Sequence, residues 1–388
     1  MKKGLLSFIV ILLSFCSYAQ LLTWTPNFAQ ESTSPFTITL DGSKGNQGLF
    51  FYTPVSDVYV HIGVITNLSP TATPWKYVKY NQNFNVANSL LQTTSLGNSK
   101  WSFTINGGIR SYFGITDPGE TILKIAILFR NGNGSKVARN TDGSDMYIPI
   151  YTNALATRFT EPLVQPTFLP RPETITKVIG NTISMTGIAS SSATMRLYLN
   201  GTIVQTALNA TTISAAPTIN VAGNQVIVVE ADNGILNKRD TIQFYVAAPI
   251  NVAALPAGVK DGINYEADNT AATLVLYAPS KNRVSVIGDL TGSNWAEQLP
   301  YQMNKTPDGN YWWIRLTGLT PGTEYSFQYL VDGTLKIAEP YAEKILDPWN
   351  DPFIPSTTYP GLKPYPANLT SGIVSVLQTN QSTYNWQS

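Results

Sequence analysis

Apolar and polar positions alternate with a period of two through most of the chain beyond residue 20. Phe36-Thr37-Ile38-Thr39-Leu40, Val58-Tyr59-Val60-His61-Ile62 and Trp101-Ser102-Phe103-Thr104-Ile105 each place one side chain in two on a common face, as half-buried strands require. Asp41-Gly42, Asn106-Gly107, Asn131-Gly132 and Asn200-Gly201 follow such runs, and these pairs tolerate the positive φ of tight hairpin turns. No segment sustains the 3.6-residue period of a helix for more than a few turns. The pattern predicts an all-β protein of antiparallel β-sandwiches.

Proline-rich interruptions divide the pattern into three. Pro162, Pro166, Pro170 and Pro172 form one linker, and the stretch from Pro249 to Pro256 forms another. The expected units are a sandwich over 20–155, a second over 160–248 and a third over 252–366, with 367–388 as a trailing linker. In the second, Ala193, Met195, Leu197 and Leu199 alternate up to the Asn200-Gly201 turn, and about seven short strands are expected in fewer than 100 residues. That density reads as an immunoglobulin-like spacer without the usual cysteine pair.

The first nineteen residues follow a different rule. Lys2 and Lys3 precede the apolar run Leu5 to Phe15, and Ser17-Tyr18-Ala19 offers a cleavage site, so 1–19 reads as a signal peptide and the protein as secreted, periplasmic or displayed at the cell surface. No other stretch approaches the roughly 20 apolar residues of a membrane span, so none is expected. Cys16 is the only cysteine and falls inside this segment, preceded by Phe15 where a lipoprotein signal needs a small residue. The mature chain is therefore expected to lack disulfides, zinc-thiolate sites and cysteine nucleophiles. His61, the only histidine, lies on the strand face opposite Val58, Val60, Ile62 and Val64, which leaves no partner for a multi-histidine metal site. Asn140, Asp142 and Asp145 supply three oxygen ligands but lack the bidentate glutamate of a calcium loop, and read as a turn. No metal or cofactor is expected.

Charge narrows the ligand class. Charged residues are 13% of the chain, against roughly 25% in an average soluble protein, and the formal net charge is only +1. Without a basic face, nucleic acid is not an expected partner. With 20 Tyr and 8 Trp among many Thr, Asn and Ser, the composition suits a neutral, hydrogen-bonding ligand such as a glycan.

The third unit carries the most specific signal. Asp261-Gly262-Ile263-Asn264-Tyr265, Leu276-Tyr277-Ala278-Pro279, Val286-Ile287-Gly288-Asp289 leading to Trp295, Tyr325 through Asp332-Gly333, and Glu339-Pro340-Tyr341-Ala342 follow one another in order. Together they resemble the amino-terminal β-sandwich of the α-amylase superfamily, glycoside hydrolase family 13, also described as carbohydrate-binding module family 48. With the segment Lys344 to Asp351, the whole arrangement looks like the non-catalytic amino-terminal region of secreted Bacteroidetes-type α-amylases acting on starch, glycogen or pullulan.

That resemblance implies a (β/α)8 catalytic barrel as partner, packing against Tyr341, Asp347 and Trp349. The chain ends at Ser388, about where such a barrel begins in the family, and none of its residues corresponds to the barrel's catalytic carboxylates. No catalytic residue is assigned, and Asp289, Asp332, Glu339 and Asp347 read as turn or interface groups. Glucan-binding members of the family use a Trp after the Gly-Asp strand, matched by Trp295, and a Lys where this chain has Gln328. Their second Trp falls on Leu335, which lacks a flat stacking face, so the family's glucan surface is depleted here. Trp312 and Trp313 are adjacent on a strand and point to opposite faces, leaving Trp313 as a contact residue. In the first unit, Trp75 and Tyr77 form a separate candidate sugar platform. Two other functions stay open: a free-standing glycan-binding protein, and a structural array without a ligand.

Overall fold

The computed structural model describes residues 21–69, 71–81, 83–169, 175, 177–292, 295–367 and 369–381. The expected signal segment, and with it Cys16, lies outside them. The chain is nearly all β: 22 strands pair antiparallel in five sheets, and the only α-helix among the described residues is the short Ile109–Phe113. It forms two compact units, one built from residues up to Asn153 with Leu163–Phe168, the other from Ala154–Pro162 and the chain from Leu169 onward.

In the first unit, Leu22–Thr25, Phe36–Asp41, Lys100–Ile105 and Thr94–Gly97 form one sheet. Val58–Thr66 and Ile122–Asn131 form the centre of the other, flanked by Val137–Ala138 and Met146–Pro149. Alternation decides which side chains meet: Phe36, Ile38, Leu40 and Trp101 from one sheet pack on Val58, Val60, Ile62 and Phe129 from the other. Trp101 is fully buried and spends its single donor on the Val55 carbonyl at 2.9 Å.

The second unit opens with one five-stranded sheet, where seven short strands were expected. The difference lies in Met185–Leu199, a single strand of 15 residues that pairs along its length with Thr202–Ala215. It crosses the polar trio Ser190-Ser191-Ser192 through a register shift between Ile188 and Ala193. Ahead of the shift it pairs with Thr157–Glu161 and beyond it with Gly223–Asp232, so one strand serves both halves of the fold. Gly187 sits under Val229, where a Cβ would collide with the valine side chain.

The remaining strands build a sandwich. Gly262–Tyr265, Ala271–Tyr277, Tyr311–Thr317 and Asn304–Lys305 form one layer. Val284–Gly288, Glu324–Val331, Val374–Gln378 and Lys344–Leu346 form the other, with Leu335–Ile337 folded back through the left-handed turn Asp332-Gly333. Leu274, Val286, Trp312 and Phe327 lie in the core between them.

Two expectations need correction. The segment from 367 is not simply a linker: Val374–Gln378 lies between Glu324–Val331 and Lys344–Leu346, and Val374 through Leu377 are all buried. Its polar Ser375 obscures the apolar run, yet the hydroxyl is buried because it accepts the Glu339 N–H at 2.7 Å. The proline-rich stretch near 250 is likewise pinned. Gln302 exchanges hydrogen bonds with the Ala248 N–H and carbonyl, and Lys305 pairs with Asn251 and Ala253.

Candidate functional site

Of the residues implied for glucan contact on the last sandwich, Trp295 and Gln328 are internal and Trp313 is half-buried. Trp295 is 6% exposed, packed among Ile287, Leu346, Val374 and Val376. The chain turns back beyond Val284–Gly288 through Asp289–Thr291 and the left-handed Gly292, and Trp295 itself has a φ of 69°. Gln328 is 1% exposed, its amide donating to the Ser371 and Ile373 carbonyls at 2.9 and 2.7 Å and accepting from the Thr370 hydroxyl. It fastens the approach to Val374–Gln378 and offers nothing to a sugar. Trp313 is half-buried with its indole N–H on the Ala253 carbonyl, while Trp312 is fully buried. The acidic groups also work locally: Asp332 accepts the Asn282 and Arg283 N–H groups, Asp289 that of Ser326, and Glu339 the Tyr329 hydroxyl. Burial raises the Glu339 carboxyl above its ordinary range.

What this sandwich does expose is a run of large apolar side chains over residues 341–359. Trp349 is 63% and Phe353 82% exposed, and Tyr341, Ile345, Ile354 and Tyr359 also face solvent. Their backbone is held by a compact knot. Asp347 accepts the Trp349 N–H at 2.8 Å and the Asn350 side-chain amide at 2.6 Å, and Asp351 accepts the Asp347 N–H at 2.8 Å. The Asn350 amide, followed by these backbone donors, keeps the Asp347 carboxyl below its ordinary range. Lys344 closes the far end against Glu324 and the Tyr359 hydroxyl. Asp347 thus shapes the surface, and Trp349 and Phe353 form it. Large apolar groups held out into water on a fixed backbone mark interaction surfaces.

In the first unit, Trp75 and Tyr77 are drawn into other tasks. Trp75 is half-buried, its ring centroid 5.3 Å from that of His61 and its indole N–H 3.4 Å from the Tyr147 hydroxyl. Gly63 permits this cover, because a Cβ there would press on Lys76 and Trp75. Tyr77 donates its hydroxyl to Glu120 at 2.6 Å. Glu120 is buried and also takes the Lys76 ammonium and the Thr66 hydroxyl; these bonds, led by Lys76, hold its carboxyl down at about 2. His61 lies between Trp75 and Phe84, and burial, with Arg130 and Arg139 nearby, lowers its pKa and keeps it neutral.

No protein-family model and no curated protein matches the chain. Among solved structures it is similar to the group B Streptococcus pullulanase SAP in complex with maltotetraose, at 12% identity over 44% of this chain and 23% of that one, with a TM-score of 0.19. It is also similar to a Klebsiella pneumoniae pullulanase complexed with maltotriose, at 11% identity over 83% and 33%, TM-score 0.18. A marsupial T cell receptor matches at 11% identity over 82% and 97%, TM-score 0.21. The chain thus spans about a quarter to a third of the length of the two pullulanases. Scores near 0.2 carry no inference, so the fold rests on the strand pairing above and the function on the residues.

One buried feature is not visible in the sequence pattern. Arg130 is fully buried, its guanidinium donating to the Asn131, Gly132 and Val86 carbonyls and lying over the Phe84 ring. In the 140–145 turn, the Ser144 N–H and hydroxyl both donate to Asp142, and Asp145 pairs with Arg139. Those oxygens close a turn, and no group of three or more candidate metal ligands occurs among the described residues.

Proposed function

We propose that the chain is a non-catalytic β-sandwich array of a carbohydrate-active protein, and that its last sandwich seats a catalytic domain on the surface around Trp349 and Phe353. The observation that carries this reading is the exposure of those two side chains on a hydrogen-bonded knot, in the segment where the α-amylase-family resemblance implies a barrel contact. A ring of that size left in water gains roughly 1.5–3 kcal/mol when buried by a partner. Glucan binding through Trp295 and Gln328 is not part of the proposal, since both side chains are committed to the interior. The signal-like pattern of Lys2 to Ala19 supports a site of action outside the cytoplasm, and the secreted protein should then begin at Gln20.

Sedimentation velocity tests the reading. The chain is mixed with a separately produced (β/α)8 barrel from an α-amylase-family enzyme whose own amino-terminal module resembles this sandwich. A complex is expected with the natural chain and is lost in the Trp349→Ala, Phe353→Ala double variant, whose exposed positions should leave folding intact. No complex, or one indifferent to both substitutions, contradicts the proposal, as does release of reducing sugar from starch by the chain alone.

A further inference from the structure

A second surface, in the first unit, has no part in that proposal. The loop of residues 42–53 closes onto the edge strand Val137–Ala138 through Asn46. The Asn46 amide donates to the Val137 carbonyl at 2.9 Å, its oxygen accepts the Gly48 and Arg139 N–H groups at 3.0 Å, and its own N–H reaches the Arg139 carbonyl at 3.1 Å. Gly45 and Gly48 make the approach possible, because a Cβ on either would strike the Arg139 or Val137 carbonyl. The loop is therefore a fixed frame.

On that frame stand two phenylalanines facing solvent. Phe50 is 40% and Phe51 79% exposed, with ring centroids 3.9 Å apart and planes inclined by 32°. Phe51 has a φ of 52°, a left-handed conformation that bulky side chains avoid, and its N–H is held by the Ser99 hydroxyl at 3.0 Å. Strain of this kind persists where the surroundings impose it, and it gathers at binding sites. Beside the rings lies an open cleft of about 650 Å³, lined also by Gln47, Ser135, Lys136 and Arg139. Ligand clefts fall in the range of roughly 300–1,000 Å³. Arg139 is paired with Asp145, and no carboxylate lines the cleft among the described residues.

We infer that this cleft binds a neutral oligosaccharide, with the C–H face of one pyranose ring on the outward face of Phe51 and its hydroxyls on Gln47 and Lys136. A sugar ring pairs an apolar face with a polar perimeter, which matches an aromatic floor inside a rim of amide and ammonium groups. Gln47 donates its amide to the Ser43 carbonyl at 3.1 Å and Ser135 its hydroxyl to Asn133 at 2.7 Å, which leaves the Gln47 amide oxygen and the Lys136 ammonium for a ligand; an apolar ligand would desolvate that ammonium without pairing it. A polyanion would need more cationic contacts than the cleft supplies. The inference rests on the carbohydrate side of the reading above and is independent of any docked catalytic domain.

Isothermal titration of the chain with maltohexaose, cellohexaose, mannohexaose and xylohexaose provides the test, with Phe51→Gly as the main variant. Glycine accepts the φ of 52°, so the melting temperature should hold or rise while affinity for the bound sugar falls at least tenfold. Lys136→Ala should weaken the same sugar more mildly. Sugar binding that survives Phe51→Gly overturns this site and leaves the carbohydrate reading standing. If no hexasaccharide binds the folded chain, the site is overturned, and the carbohydrate reading then depends on the barrel association alone. A dimer that Phe51→Gly dissolves, without sugar binding, overturns it in favour of a second copy of the chain.

Discussion

Trp295 shows how far a single residue can be read from its motif. Its place after Val286-Ile287-Gly288-Asp289 fits a sugar-stacking tryptophan, yet the chain passes a left-handed Gly292 and the ring is packed in the interior beside Val374 and Val376. A left-handed turn and a strand nearly 80 residues further on decide its exposure, and neither is visible in the local pattern. Trp295→Ala should therefore cost roughly 3–5 kcal/mol in urea unfolding, as buried aromatic truncations do; a cost near zero would return the ring to the surface. Glu120 is a similar case, since its partners Thr66, Lys76 and Tyr77 lie more than 40 residues away in sequence. Its carboxyl sits at about 2 against an ordinary 4.5, chiefly because of the Lys76 ammonium and then the two hydroxyls. A folded pKa below the unfolded one stabilises fully above pH 4.5, and the contribution is lost as pH falls toward 2. Acid titrations followed by near-ultraviolet circular dichroism should show Glu120→Gln less stable than the natural chain at pH 7, with the difference closing as pH drops through that window. A difference independent of pH would refute the assignment.

At the scale of elements, the strands that alternate cleanly are legible in the sequence. Phe36–Asp41 and Lys100–Ile105 each fall within a residue of the alternating runs that predict them, and Val58–Thr66 begins where its run begins. Two kinds of strand escape. Met185–Leu199 continues through three exposed serines because its long partner Thr202–Ala215 carries the ladder across the shift. Val374–Gln378 hides because its buried polar Ser375 is satisfied by a backbone N–H 36 residues away. That hidden strand is central, so a chain ended at Ile373 should lose the last sandwich, leaving Trp295 and Leu346 without cover. Limited proteolysis should then cut freely within 262–346 while the first unit survives; a protease-resistant last sandwich would show that the strand is dispensable. Gly187→Ala tests the bent strand in the same manner. Its Cβ would overlap Val229, and a loss of about 1–3 kcal/mol in the second unit is expected by thermal denaturation. An unchanged melting temperature would contradict the close approach.

For the whole molecule, low charge and abundant aromatics pointed toward a neutral glycan, and the structure changes where such contact would occur. Trp295 and Gln328, where the sequence resemblance implies glucan contact, are part of the interior, whereas Phe50 and Phe51 in the first unit and Trp349 and Phe353 in the last remain exposed. Exposure of this kind depends on which faces the sheets leave uncovered, so alternation alone cannot reveal it. The loop-like character of the segment around Trp349 was legible, because Trp349 lies between Pro348 and Pro352, outside any alternating run. The fold class follows from hydrogen-bonded alternation at every level, from side-chain period to sheet order.

Hydrogen–deuterium exchange tests the central claim most directly, read on the chain alone and with the barrel domain in excess. Amides over residues 344–359 should slow when the barrel is added, and those of the loop 42–53 should not change. Protection confined to the first unit, or none anywhere in 344–359, would contradict the assignment of the Trp349 and Phe353 surface as the seat of a catalytic domain.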